Sequence, residues 1–159
     1  MQIVRVGRRR PIHVPAAMLR FLQRLIGRKS APDSGGLGER LAGEWLRRER
    51  RFTIIARNWR SPKDRRDEID LVCHDGDVLV FVEVKARAAG ALVQGYHAVN
   101  RRKRRALHHA NQAYLGELRE KPRTFRFDVV EVAFPADAAA APEILHFENV
   151  PLFSKHYRG

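Results

Sequence analysis

The chain has 159 residues, 44% of them hydrophobic, with 31 Lys and Arg against 18 Asp and Glu and a formal net charge of +13. That is enough for one domain with its own core, and a positive surplus of this size points to a polyanionic partner, with nucleic acid ahead of an anionic membrane surface. Cys73 is the only cysteine, which excludes an intrachain disulfide or a cysteine-based zinc site, and no apolar run is long enough for a transmembrane helix or a secretory core; together these fit a reducing, cytoplasmic location.

Residues 1–36 read as a basic N-terminal arm. The first thirty residues carry Arg5, Arg8, Arg9, Arg10, Arg20, Arg24, Arg28 and Lys29 and no acid. Pro15 to Ile26 has the spacing of a short amphipathic helix, with Met18, Leu22, Leu25 and Ile26 on one side. An arm of this composition suits three readings: a poorly ordered tail, an organelle transit segment, or an element that touches nucleic acid or a membrane surface.

Leu37 to Arg51 is expected to be a helix, with Leu41 and Trp45, and Ala42 and Leu46, spaced by four. Glu39 falls in line with Ala42 and Leu46 beside the inward stripe. It is either a favourable first-turn carboxylate or an acid aimed across at a sheet.

Phe52 to Trp59 reads as a strand. Arg57 to Arg66 reads as a basic loop, with Arg57, Arg60, Lys63, Arg65 and Arg66 against Asp64 and with Ser61-Pro62 inside. Its placement suits a phosphate clamp.

Two strands follow around His74-Asp75-Gly76-Asp77. Asp-Gly is the favoured centre of a two-residue hairpin turn because glycine and aspartate tolerate φ > 0. With Asp75 and Gly76 as the turn, His74 faces Asp77, Asp70 faces Phe81 and Glu68 faces Glu83. Side chains alternate along a strand, so Glu68, Asp70, Glu83 and Lys85 share one face, with Asp70 and Glu83 as diagonal neighbours. Ile69, Leu71, Val80, Val82 and Val84 line the other face, and Cys73 is buried there. A core-packing strand has little use for clustered acids; a divalent-cation site beside a phosphate does.

Ala86 to Gly90 is an exit loop. Tyr96 to Leu118 is expected to be a long helix in which Arg101, Arg102, Lys103, Arg104 and Arg105 wrap around more than a full turn, some snorkelling past the core edge and the rest presenting a positive surface to a phosphate backbone. The adjacent His108 and His109 point different ways and are poor joint ligands. Thr124 to Phe134 is a strand ended by Pro135, Asp137 to Pro142 a linker, and Ile144 to Phe147 an edge strand. The domain is thus expected over 37–134, with 135–159 as edge strand and tail.

These residues resemble the PD-(D/E)XK, or restriction-endonuclease-like, superfamily. Within it the chain is similar to the YraN family of small bacterial proteins and, more distantly, to the archaeal Holliday-junction resolvases. The markers run from Gly38-Glu39 through Arg57-Asn58-Trp59-Arg60, Glu68-Ile69-Asp70-Leu71, Phe81-Val82-Glu83-Val84-Lys85 and Ala98-Val99 with Lys103 to Arg126-Phe127-Asp128-Val129. The resemblance implies an α/β fold with a mixed central sheet in αβββαβ order and flanking helices. It also implies an active site of Glu39, Asp70, Glu83 and Lys85. Asp67 stands where the family usually has glycine, and adds negative charge beside the site.

The expected activity is metal-dependent hydrolysis of a phosphodiester, in branched or structured DNA before RNA. Asp70 and Glu83, with the Val84 carbonyl, would hold Mg²⁺ or Mn²⁺, Glu39 would complete the metal site directly or through water, and Lys85 would position the nucleophile or stabilise charge on phosphorus. Arg60, Lys63, Arg65 and the five cations from Arg101 to Arg105 would neutralise the nucleic-acid backbone. Cutting a junction needs two active sites and therefore a homodimer. The competing expectations are a nucleic-acid-binding module that does not cut, and a membrane-surface protein acting through residues 1–30.

Overall fold

In the computed structural model, residues 34–88, 101–137 and 140–152 are described. Residues 1–33 of the N-terminal arm, with its expected helix, residues 96–100 of the long helix and the tail beyond residue 152 lie outside them. Helix α1 spans Ser34–Glu49, and strands β1 (Thr53–Arg60), β2 (Glu68–Asp75) and β3 (Val78–Ala88) follow. Helix α2 is Arg101–Glu117, then come β4 (Thr124–Phe134) and β5 (Glu143–Phe147). The described strands form one mixed sheet in the order β1-β2-β3-β4-β5. Only β3 and β4 are parallel, as expected for the two strands joined through a helix.

The sheet is covered on both faces. Leu41, Trp45 and Leu46 of α1, with Phe52, pack against Leu71, Cys73, Val82 and Val130. On the other face Leu107, Ala110 and Tyr114 of α2 pack against Val72, Phe81, Phe127 and Val129. Full burial of each large apolar side chain contributes about 1.5–3 kcal/mol. Residues beyond 134 belong to the same packing: Ile144 lies in the first core and Val150 in the second, and the Val150 N–H donates to the Phe127 carbonyl at 2.7 Å.

Three sequence expectations are corrected. First, the hairpin register is shifted by two: Asp75 pairs with Val78, so Gly76 and Asp77 make the turn, with Gly76 at φ 57°. Asp75 stays in the ladder because its carboxylate lies 2.9 Å from the Arg126 guanidinium. A shift of two does not by itself move a side chain to the other face but changes the partners, so Glu68 does not oppose Glu83. It sits across from Arg60 on β1 and forms an ion pair with it at 2.9 Å.

Second, Arg57 and Arg60 lie in β1 rather than in a loop. The Arg57 guanidinium covers Gly43 of α1, where a Cβ would fall 2.5 Å from one of its terminal nitrogens.

Third, Ile69 packs with the α2 core and not with Leu71. Both β1 and β2 change sides here: Arg57 pairs with Leu71 on the α1 side, while Trp59 pairs with Ile69 on the α2 side, where it stacks edge-on with Tyr114. Between the two pairs lie Asn58 and Asp70. Asn58 adopts φ 48°, the left-handed conformation that asparagine tolerates better than most residues, and this switches the face.

Candidate active site

Asp70 sits where the β2–β3 ladder ends. The last paired residues are Leu71 and Val82, and one step further along that register Asp70 stands opposite Glu83. There the Asp70 carboxylate takes over a backbone role: the Val84 N–H donates to its Oδ2 at 2.7 Å. The two carboxylates lie just past the last paired residues, close enough for the charge of Glu83 to act on Asp70. Both are buried, Asp70 at 8% and Glu83 at 2% exposure, so neither is a solvated surface acid.

Such a pair is costly without positive charge. Burial first, then the Glu83 charge, and to a lesser degree the charge of Glu39, push the Asp70 carboxyl up to about 7, against the Val84 N–H bond and Lys103, which favour the ionised form. Two ammonium groups answer the charge of Glu83. Lys85, two residues along the same strand face, bonds to Glu83 Oε1, and Lys103 of α2 reaches the same oxygen at 3.3 Å. Glu83 Oε2 is buried and has no hydrogen-bond partner.

The charge of Glu39 is felt at Asp70, and its helix packs closely on β3. A Cβ on Gly38 would lie 2.9 Å from the Ala86 Cβ. Helix α1 starts at Ser34, three residues before the expected start, so Glu39 lies beyond the first turn and is no terminal capping charge. It is half-buried. Among the described residues, no three Asp, Glu, His or Cys side chains converge closely enough to hold one ion together. The acids therefore form a pair, Asp70 and Glu83, with Glu39 outside it, which leaves to Glu39 the water-mediated place of the two that the sequence allowed it. The hard oxygens of the pair and the unpartnered Glu83 Oε2 suit Mg²⁺ or Mn²⁺, ions that retain much of their own hydration.

The basic residues divide. Lys103, one of the five cations of which some were expected to snorkel past the core edge, turns into the site. Arg102 and Arg105 are exposed and Arg104 is half-buried; the Arg101 side chain lies outside the description. In the loop before β2, Lys63 and Arg65 are exposed, whereas Arg66 is occupied by Asp64 at 2.7 Å and Arg60 by Glu68. The loop itself is ordered by the Ser61 hydroxyl, which accepts the N–H groups of Lys63 and Asp64 at 3.3 and 3.4 Å.

One further acid on the same sheet face was not foreseen. Glu131 of β4 stands beside Lys85 in the parallel register. Its carboxyl is raised by burial, with Arg87, 3.5 Å away, opposing. The opposite face holds a separate buried network. Asp128 there accepts from Arg126 Nε at 3.0 Å and from the Asn149 N–H at 2.9 Å, and lies 2.9 Å from His146 Nε2. It locks β5 and the segment after it onto β4. The signal for it was the Arg126-Phe127-Asp128 alternation, which could not reveal partners twenty residues away.

No helix among the described residues is long and apolar enough to cross a membrane. A sequence model of the uncharacterised protein family UPF0102 matches residues 38–132, which include Glu39, Asp70, Glu83, Lys85 and Lys103. Among relatives, a UPF0102 protein of Beutenbergia cavernae is 41% identical over 111 residues, 70% of this chain and 91% of its own. One from Anaeromyxobacter dehalogenans is 44% identical over 114 residues, 71% and 79% of the two chains. One from Geobacter metallireducens is 37% identical over 115 residues, 72% and 88%.

Proposed function

The chain belongs to the uncharacterised protein family UPF0102, the YraN-like family its motifs resemble, and from that premise we propose that it is a metal-dependent endonuclease of the PD-(D/E)XK type. It acts on nucleic acid, branched or structured DNA before RNA, in the cytoplasm. The observation that supports this most is the buried Asp70–Glu83 pair with two lysines turned onto Glu83. Core packing has no use for that group, since an apolar set of the same volume would be at least as stable.

In this reading Asp70 and Glu83 hold Mg²⁺ or Mn²⁺. When bound, the ion supplies Lewis-acid polarisation of a phosphoryl oxygen. Lys85 Nζ lies beside the carboxylates on the same face, where it orients the attacking water and stabilises the negative charge that builds on the phosphoryl oxygens. Glu39 contributes from α1 without joining the pair directly. The Val84 N–H keeps Asp70 turned toward Glu83. Lys63, Arg65, Arg102 and Arg105 neutralise the backbone, which makes recognition depend on shape and salt more than on base sequence.

One observation favours the second reading, a nucleic-acid-binding module that does not cut. The acids are two rather than three, and Glu83 already has two lysines. The test is incubation of labelled four-way junction, flap, single-stranded and duplex DNA with Mg²⁺, Mn²⁺ or EDTA. Metal-dependent products on any substrate support the nuclease and name its substrate class. Tight, salt-sensitive binding without product supports the module.

A further inference from the structure

Lys103 holds a position that a phosphate-binding surface lysine would not need. Its Nζ lies 3.3 Å from Glu83 Oε1, an oxygen already bonded by Lys85. It enters from α2, across the interior face of the sheet, while Arg102 and Arg105 beside it on the helix face solvent. Its charge also favours the ionised form of Asp70. The lysine side chain is about one-third exposed, whereas that of Glu83 is 2% exposed, so the ammonium closes the pair from the solvent side. Lys85 is fixed to Glu83 along one strand, but Lys103 is carried by a separate element on a long flexible stem and can leave without disturbing the sheet.

Two positive charges on one buried carboxylate oxygen compete with a third. A divalent cation bound by Asp70 and Glu83 would face Lys103 at close range, and like charges in a poorly hydrated setting repel strongly. We propose that Lys103 is a tethered counter-cation of the site: it neutralises the Asp70–Glu83 pair while no divalent ion is bound, yields that place when the ion binds, and then turns its ammonium to a backbone phosphate of the nucleic acid. Metal loading and nucleic-acid binding are thereby coupled through one side chain. The inference rests on the reading of Asp70 and Glu83 as the ligands, and it gives Lys103, which the sequence placed among the five backbone-facing cations and among the family markers, a positioning role beyond phosphate contact.

The test is Mn²⁺ titration by calorimetry of the full chain without nucleic acid, for wild type, Lys103→Met and Lys103→Arg. Methionine keeps the length and removes the charge; arginine keeps the charge. The expected result is binding to wild type, affinity about tenfold tighter in Lys103→Met because a nearby like charge is gone, and affinity near wild type in Lys103→Arg. In four-way-junction binding with Ca²⁺ present, the salt slope of Lys103→Met should fall by about one phosphate contact relative to wild type. Mn²⁺ binding to wild type with equal or weaker binding to Lys103→Met would overturn the inference and leave the ligand pair standing. An unchanged salt slope would overturn the transfer to phosphate. Absence of Mn²⁺ binding in all three proteins would overturn the ligand pair and the inference with it.

Discussion

The carboxylate of Asp70 accepts the Val84 N–H at 2.7 Å at the point where β2 and β3 stop pairing as backbones. A side chain here replaces a strand, and the replacement brings a charged group to within reach of Glu83 in a buried setting. Everything proposed for the site follows from that substitution of one acceptor for another.

Asp70→Asn should stabilise the metal-free protein at neutral and higher pH. An asparagine oxygen can still accept the Val84 N–H, but the charge pressed against Glu83 is gone. The folded state holds the Asp70 carboxyl up at about 7 against an ordinary value of 3.8, so folding favours its protonated form. The penalty is absent below about pH 4, grows between about 4 and 7, and is complete above that window, where it amounts to roughly 2–4 kcal/mol. Urea midpoints in EDTA from pH 5 to 8 should therefore fall for wild type as pH rises and stay flatter for Asp70→Asn. Added Mg²⁺ should raise the wild-type unfolding free energy by about 2.7 kcal/mol at a hundredfold excess over Kd, with a matching rise in the urea midpoint, and leave the variant nearly unmoved.

Asp128 behaves in the opposite sense. Burial works to raise its carboxyl, but the bonds from His146, Arg126 and the Asn149 N–H outweigh it and hold the group below its usual range. Its contribution is present above about pH 4 and lost as pH falls through the depressed folded value. Asp128→Ala removes the acceptor of His146 and of Arg126 Nε, leaving Arg126 only its ion pair with Asp75, and should cost roughly 3 kcal/mol at pH 7, with the difference from wild type shrinking in acid. Chemical denaturation at pH 7 and pH 3 would measure both.

Gly38→Ala should loosen the contact between α1 and β3. The added methyl would sit 2.9 Å from the Ala86 Cβ, too close for either strand or helix to keep its place. A loss of about 1–3 kcal/mol in thermal unfolding is expected. Any metal-dependent activity should fall by more than the stability loss accounts for, because Glu39 moves with the helix.

Cys73 should be inert in the native protein. It is fully buried in the α1-side core, and burial pushes its thiol up to about 12. Reaction with a thiol-specific disulfide reagent should be undetectable on the time of mixing at pH 8 and complete once the chain is unfolded in guanidinium.

Much of this architecture was legible in the chain. The period-two alternation of β4 gave its bounds at Thr124 and Phe134, and the edge strand was placed within one residue. The chemistry-bearing acids stood out because Glu83 and Asp70 interrupt otherwise apolar strands. What could not be read were relationships that depend on backbone conformation or distant partners. Asp-Gly fixed that a turn exists, but Arg126, far away in sequence, kept Asp75 in the ladder and moved the register by two. The change of side at Asn58 needed a φ of 48° that no periodicity announces. Lys103 stood out only through the family resemblance, because a run of like residues carries no sign of which member faces inward.

The most direct test of the central claim is a side-by-side assay of wild type and Asp70→Ala on the best-cut of the labelled DNA substrates, with binding measured in Ca²⁺ and cleavage in Mg²⁺. The account predicts comparable salt-sensitive binding by both proteins, cleavage by wild type that EDTA abolishes, and no cleavage by Asp70→Ala although it remains folded. Equal cleavage by both would remove Asp70 from the chemistry, and binding without cleavage by wild type under every metal would contradict the nuclease itself.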